Sequence, residues 1–79
     1  PIDLALIDGD HSYEGARYDF VETRKRARRG ALILLHDVEN PAEWFGLMGV
    51  KKLVNEIRAA GLPVVVLPQD FGLAIVQIP

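Results

Sequence analysis

The chain has 79 residues, about half of an ordinary domain, and a net charge of −2. A chain this short buries only roughly 60–65% of the surface its unfolded form exposes, so it needs help from a staple or a partner. It has no cysteine, which excludes disulfides, thiolate chemistry and any Cys-based zinc site. The charge balance argues against a dedicated nucleic-acid binder, and no apolar run approaches the ~18 residues of a membrane span. No signal peptide precedes the first apolar segment, and the absence of cysteine suits a cytoplasmic location. At 49% hydrophobic residues, the composition is that of a core and not of a disordered tail. A core-like half-domain points to a piece of a larger fold or to an obligate partner.

In chain order, Ile2 to Ile7 reads IDLALI, a short apolar run that suits a parallel strand covered on both faces. It has no partner N-terminal to it and reads as a central strand with one neighbour missing. It ends at Asp8-Gly9-Asp10. Ser12 is the expected N-cap of a helix running to about Arg29, with Gly30 as its C′ stop. The core face of that helix is Tyr13, Ala16, Phe20 and Ala27. Charge is uneven here: six of the first 23 residues are acidic and one is basic, whereas positions 24 to 29 hold five cations. Those cations read as a solvated helix end, favoured there by the helix dipole.

Ala31 to Leu35 reads ALILL, a second buried strand that ends at His36-Asp37. Val38 to Gly49 reads as a polar loop carrying Pro41 and Trp44, long enough to have a function of its own. Val50, Leu53, Val54 and Ile57 repeat at i, i+3, i+4, i+7 and predict an amphipathic helix that stops at Gly61. Strands follow at Pro63–Leu67 and Phe71–Ile78. Only Pro68-Gln69-Asp70 separates them, too short for a parallel crossover, so this pair is expected to be antiparallel. The order β-α-β-α-β-β implies an α/β sheet with helices on its faces.

Ligands of open α/β sheets bind beyond the carboxyl ends of the parallel strands. Two such ends occur, at Asp8-Gly9-Asp10-His11 and at His36-Asp37. Neighbouring strands would set them one strand spacing apart, about 4.8 Å, and the carboxylates would repel one another. A divalent cation relieves that repulsion. Oxygen ligands suit Mg²⁺, Mn²⁺ or Ca²⁺, and the histidines leave room for Zn²⁺ or Fe²⁺. Each group also has a plainer reading: Asp8 as a turn residue, Asp10 as a cap, His11 as a loop residue, His36 as an orienting neighbour, Tyr13 as packing. Trp44 is either a substrate-facing wall or a lid on the core. His11, between acids at a strand end, is the candidate general base.

Residues 7–20, beginning Ile-Asp-Gly-Asp-His-Ser-Tyr-Glu-Gly, closely resemble a motif of class I S-adenosylmethionine-dependent methyltransferases, in the small-molecule family that carries it after the fourth strand. Arg29 to Asp37 is similar to that family's fifth strand with its terminal His-Asp. Gly49-Val50 and the residues after it resemble the helix that follows. The terminal antiparallel pair is similar to the family's reversed last strand, which inserts between its fifth and sixth. The resemblance covers the whole chain and implies the C-terminal half of a Rossmann-like, doubly wound methyltransferase sheet over residues 1–79. The glycine-rich cofactor loop of such enzymes has no counterpart here. The resemblance therefore implies a piece that is inactive by itself, with S-adenosylmethionine held mostly by the other half.

It also implies site roles. Asp8, Asp10 and Tyr13 would face the cofactor. Asp8, His36 and Asp37 would hold a divalent cation such as Mg²⁺, by likeness to metal-dependent O-methyltransferases of the catechol and sugar-modifying types. Those relatives carry a carboxylate where His36 stands. His11 matches the base of the sugar-modifying relatives. The expected substrate is a small molecule, with no nucleic acid or membrane as partner and with copies associating through the exposed sheet edge. Two rival readings stand beside this one. Asp8-Gly9-Asp10 could hold the metal of a nucleotide-sugar glycosyltransferase, or the whole piece could be structural and dimerising.

Overall fold

A computed structural model of the protein describes residues 1–9, 11–40 and 49–79. Asp10, Pro41 and Trp44, singled out above, lie outside the described residues. The elements are β1 (Ile2–Ile7), α1 (Tyr13–Arg26), β2 (Ala27–His36), α2 (Val50–Ala59), β3 (Val64–Leu67) and β4 (Leu73–Gln77). They build a mixed α/β sheet of order β1-β2-β4-β3. β1 and β2 run parallel, and β4 is antiparallel to both β2 and β3. The short-loop argument and the inserted reversed strand are both met.

The two crossovers, β1-α1-β2 and β2-α2-β3, progress in the same direction across the sheet. Right-handed crossovers that advance one way place their helices on one face, and α1 and α2 are in contact there. Beneath them lies the core. Ala31, Ile33 and Leu35 of β2 and Ala74 and Val76 of β4 face Ala16 and Phe20 of α1 and Val50, Leu53, Val54 and Ile57 of α2. Among the described residues this cluster contains no buried polar side chain. The i, i+3, i+4, i+7 set of α2 is buried in full.

Among the described residues no element covers the other face of the sheet. Leu4 and Leu6 are 66% and 63% exposed, and Val65 and Leu67 follow on β3. Among the described residues β1 stands at the sheet edge and pairs with β2.

Several boundaries differ from the periodicity. α1 ends at Arg26 and not near Arg29, because Ala27 already adopts an extended backbone (ψ 141°) and opens β2. Gly30 keeps the left-handed backbone expected of a helix stop (φ 87°), but uses it within β2. There the register to β1 jumps from Ile2↔Ala27 to Leu4↔Leu32, and the bulged residues need a glycine's freedom. Ala27, assigned to the helix core face, packs against the core from the strand instead. Phe71 and Gly72 belong to the β3–β4 turn, so β4 starts at Leu73. Val38, assigned to a polar loop, is buried at 2% exposure and extends the core beyond β2.

Ile33 sits at the centre of this core with no exposed surface. Ile33→Ala should lower stability by about 2–5 kcal/mol, read as a fall in the midpoint of denaturant unfolding.

Candidate functional site

β1 and β2 are parallel neighbours, and Ile7 pairs with Leu35 at their ends. One step further along each chain, Asp8 and His36 come side by side, with Asp37 next. The turn after Asp8 brings His11 back over the same rim. Its position is set by two local devices. Ser12 caps α1 by accepting the Gly15 N–H at 3.1 Å, and the His11 carbonyl accepts the Gly49 N–H at 2.8 Å.

Gly49 is required there on packing grounds. A Cβ at that position would overlap the backbone and Cβ of Tyr13. The start of α2 thus rests directly on the start of α1, and this contact holds the His11 loop. The sequence reading matched Gly49 to a family pattern but gave it no role. The signal was a glycine directly before an amphipathic helix that carries no side-chain cap.

The four side chains form one cluster. His11 Nε2 lies 3.1 Å from Asp8 Oδ1 and 3.0 Å from Asp37 Oδ2. His36 Nδ1 lies 3.1 Å from the same Asp37 oxygen and 3.6 Å from the same Asp8 oxygen. Asp37 is the inner member, its side chain 14% exposed against 48% for Asp8. Carboxylates only accept, so the short contact from His11 requires a proton on Nε2 and leaves Nδ1 as the lone-pair nitrogen of the neutral ring.

The cluster also fits a cation. Ligand atoms of Asp8, His36 and Asp37 all lie within 4.8 Å of one another. Two carboxylates and one imidazole form a hard, mixed O/N donor set suited to a divalent first-row ion or Mg²⁺. The same two carboxylates face His11, so a cation and the His11 ring share them.

Asp37 has a left-handed backbone, φ 64°. Aspartate tolerates this better than most residues, at a cost of order 1–3 kcal/mol. Asn40 returns to it, the backbone N–H to the Asp37 carbonyl at 3.4 Å and the side-chain amide to Oδ1 at 3.4 Å.

Tyr13, assigned to the cofactor, is half-buried at the first turn of α1 and engages α2. The Lys52 ammonium sits 4.1 Å from its ring centroid. The Glu56 carboxylate accepts its hydroxyl hydrogen bond, and this, with partial burial, raises the phenol above its ordinary value of 10.0. At the other end of α1, Glu22 pairs with Lys25 at 2.8 Å, and that hydrogen bond lowers its carboxyl. The pair is exposed and contributes little.

A family model described as a methyltransferase domain matches residues 1–38, from β1 through Asp37. A search of the curated proteins gave no match. Among solved structures, the chain is similar to the SAH-bound methyltransferase PaMTH1 of Podospora anserina, at 13% identity and a TM-score of 0.60. The match covers 98% of this chain and 41% of that one. At such identity the likeness is one of fold, and the chain spans well under half of that neighbour's length. The family model spans the residues that carry the rim side chains, and the solved structure shares the fold over nearly the whole chain. Among the described residues no helix is long and apolar enough to cross a membrane.

The Tyr13 contact has a pH signature. A raised folded value means the folded state holds the phenolic proton more tightly. Its stabilisation is present below pH ~10 and is lost as pH rises through the folded value. Tyr13→Phe should remove this alkaline loss, so thermal melts of the two proteins at pH 9 and pH 11 should differ in slope. Equal slopes would leave the Tyr13–Glu56 contact without weight.

Proposed function

We propose that the chain is the C-terminal half of a single S-adenosylmethionine-dependent methyltransferase domain, and that the whole domain methylates an oxygen of a small molecule or sugar. The observation that carries this reading is His11, held by Asp8 and Asp37 at the strand ends of a fold that matches a methyltransferase. The glycosyltransferase reading uses Asp8 and Asp10 and leaves His11, His36 and Asp37 without work.

In this reading His11 is the general base. Its Nε2–H is anchored on the two carboxylates, so Nδ1 takes the proton of the acceptor hydroxyl. The oxygen lone pair forms a bond to the methyl carbon as the carbon–sulfur bond of the sulfonium breaks, leaving a neutral thioether. Asp8 and Asp37 hold the ring in one tautomer and stabilise the imidazolium that forms. Much of the acceleration comes from orientation, since in-line transfer needs a near-attack arrangement. Asp8, His36 and Asp37 are the residues that would hold Mg²⁺ or a related ion. Such an ion would act as a Lewis acid that lowers the pKa of the acceptor hydroxyl. The chain by itself lacks a glycine-rich cofactor loop and turns over no substrate in this reading.

The test is methyl transfer by the full-length protein. His11→Ala should lower kcat by about 10²–10⁴-fold, the usual range for a lost general base. Asp37→Asn, which keeps an αL-tolerant residue, should lower it as well. Unchanged rates in both variants would remove the mechanism. For the metal, ¹⁵N spectra of the histidines during Mg²⁺ addition should show a shift of a His36 ring nitrogen. No response at millimolar Mg²⁺ in the full-length protein would confine the site to proton chemistry.

A further inference from the structure

The β3–β4 turn contains a residue that the turn itself disfavours. It closes with the Gly72 N–H donating to the Gln69 carbonyl at 3.0 Å. Its central residues, Asp70 and Phe71, have φ of 52° and 66°, and Gly72 follows at 87°. Positive φ at both central positions marks a type I′ turn, whose favoured residues are Asn, Asp and Gly. Asp70 fits. Phe71 does not, because a bulky side chain on a left-handed backbone is strained. Packing does not compensate it, since Phe71 is 55% exposed.

The backbone of this turn reaches the candidate site. The Phe71 carbonyl accepts the Glu39 N–H at 2.6 Å, and the Gly72 carbonyl accepts the Val38 N–H at 3.4 Å. Val38 and Glu39 directly follow Asp37, itself left-handed at φ 64°. The approach is close: a Cβ on Gly72 would lie 3.0 Å from Glu39 Cγ and 3.1 Å from Glu39 N. Only glycine meets both the backbone angle and the clearance.

We propose that the β3–β4 turn is a clamp, in which Phe71 and Gly72 act through their backbone carbonyls as positioning residues for Asp37. The left-handed turn aims two carbonyls at segment 38–39. That grip fixes the backbone reversal at Asp37 and sets its carboxylate between His11 and His36. Backbone hydrogen bonds from outside the site thereby hold the inner carboxylate of the site. The catalytic use of the clamp rests on the methyltransferase reading. Its geometry does not, so a structural measurement separates the two.

The experiment uses nuclear magnetic resonance on the full-length protein and two variants. In Gly72→Ala the added Cβ should push Glu39 away. In the second, an ester oxygen replaces the Glu39 amide N–H by chemical ligation, which removes the donor without adding bulk. In Gly72→Ala, amide exchange at Glu39 should quicken at least about tenfold through local opening. In both variants the Asp37 Cα shift should leave its left-handed value, and nuclear Overhauser contacts from Asp37 to the His11 and His36 rings should be lost. Amides of Ile33 and Val76 should keep their protection, which separates loss of position from loss of fold. Should Gly72→Ala not fold, the ester decides. Phe71→Gly, which relieves the strain but keeps the carbonyl, should leave the Asp37 contacts intact. Native Asp37 contacts in the clamp variants, or their loss in Phe71→Gly, would overturn the proposal.

Discussion

The structure depends on the parallel pairing of β1 with β2 in the register Ile7↔Leu35. Parallel pairing sends both strands toward the same rim, and the register decides which residues emerge together. Because side chains alternate across a strand, a slip of one residue would turn Ile33 and Leu35 out of the core. It would also separate Asp8 from His36 and Asp37. The apolar core and the polar rim are therefore two consequences of one alignment, and the core's free energy holds the rim's geometry in place.

Around that pairing, the rim is assembled from contacts between elements far apart in sequence. The start of α2 supports the His11 loop through the Gly49 N–H and the tight approach to Tyr13. The β3–β4 turn supports the segment after Asp37. Each of the two facing sides of the cluster thus has its own brace, supplied by an element that contributes no side chain to it. The arrangement keeps two carboxylate oxygens close together, at a cost that a proton on His11 or a bound cation offsets.

Much of this was legible in the residues, and the physical reasons differ by element. α2 was clear because an amphipathic period is a property of local sequence. The antiparallel last pair followed from loop length alone. Asp8, His11, His36 and Asp37 could be named because polar residues at the ends of apolar strands stand out against their surroundings. The end of α1 was read too late, since Ala27 to Arg29 have ordinary helix propensities and only pairing with β1 draws them into a strand. Val38 was misread because its burial comes from the strands and turn packed around it. Phe71 was placed in a strand because its residue type favours one, whereas the turn that holds it is a tertiary contact. Tyr13 could be packing or site by sequence, and its ring lies against Lys52 with its hydroxyl on Glu56.

The sequence by itself determined the α/β class, the order of elements, the acids and histidines at two strand ends, and the resemblance to methyltransferases. These are carried by periodicity, loop length and a contiguous motif, all of which act over a few residues. Only the tertiary structure decided that both helices share one face and that, among the described residues, no element covers the opposite one. It alone brought each of the two rim histidines within 3.0–3.6 Å of both rim carboxylates, and it alone gave Gly49 and Gly72 their work. Those outcomes depend on register, crossover direction and close approach between segments dozens of residues apart, and no local pattern records them.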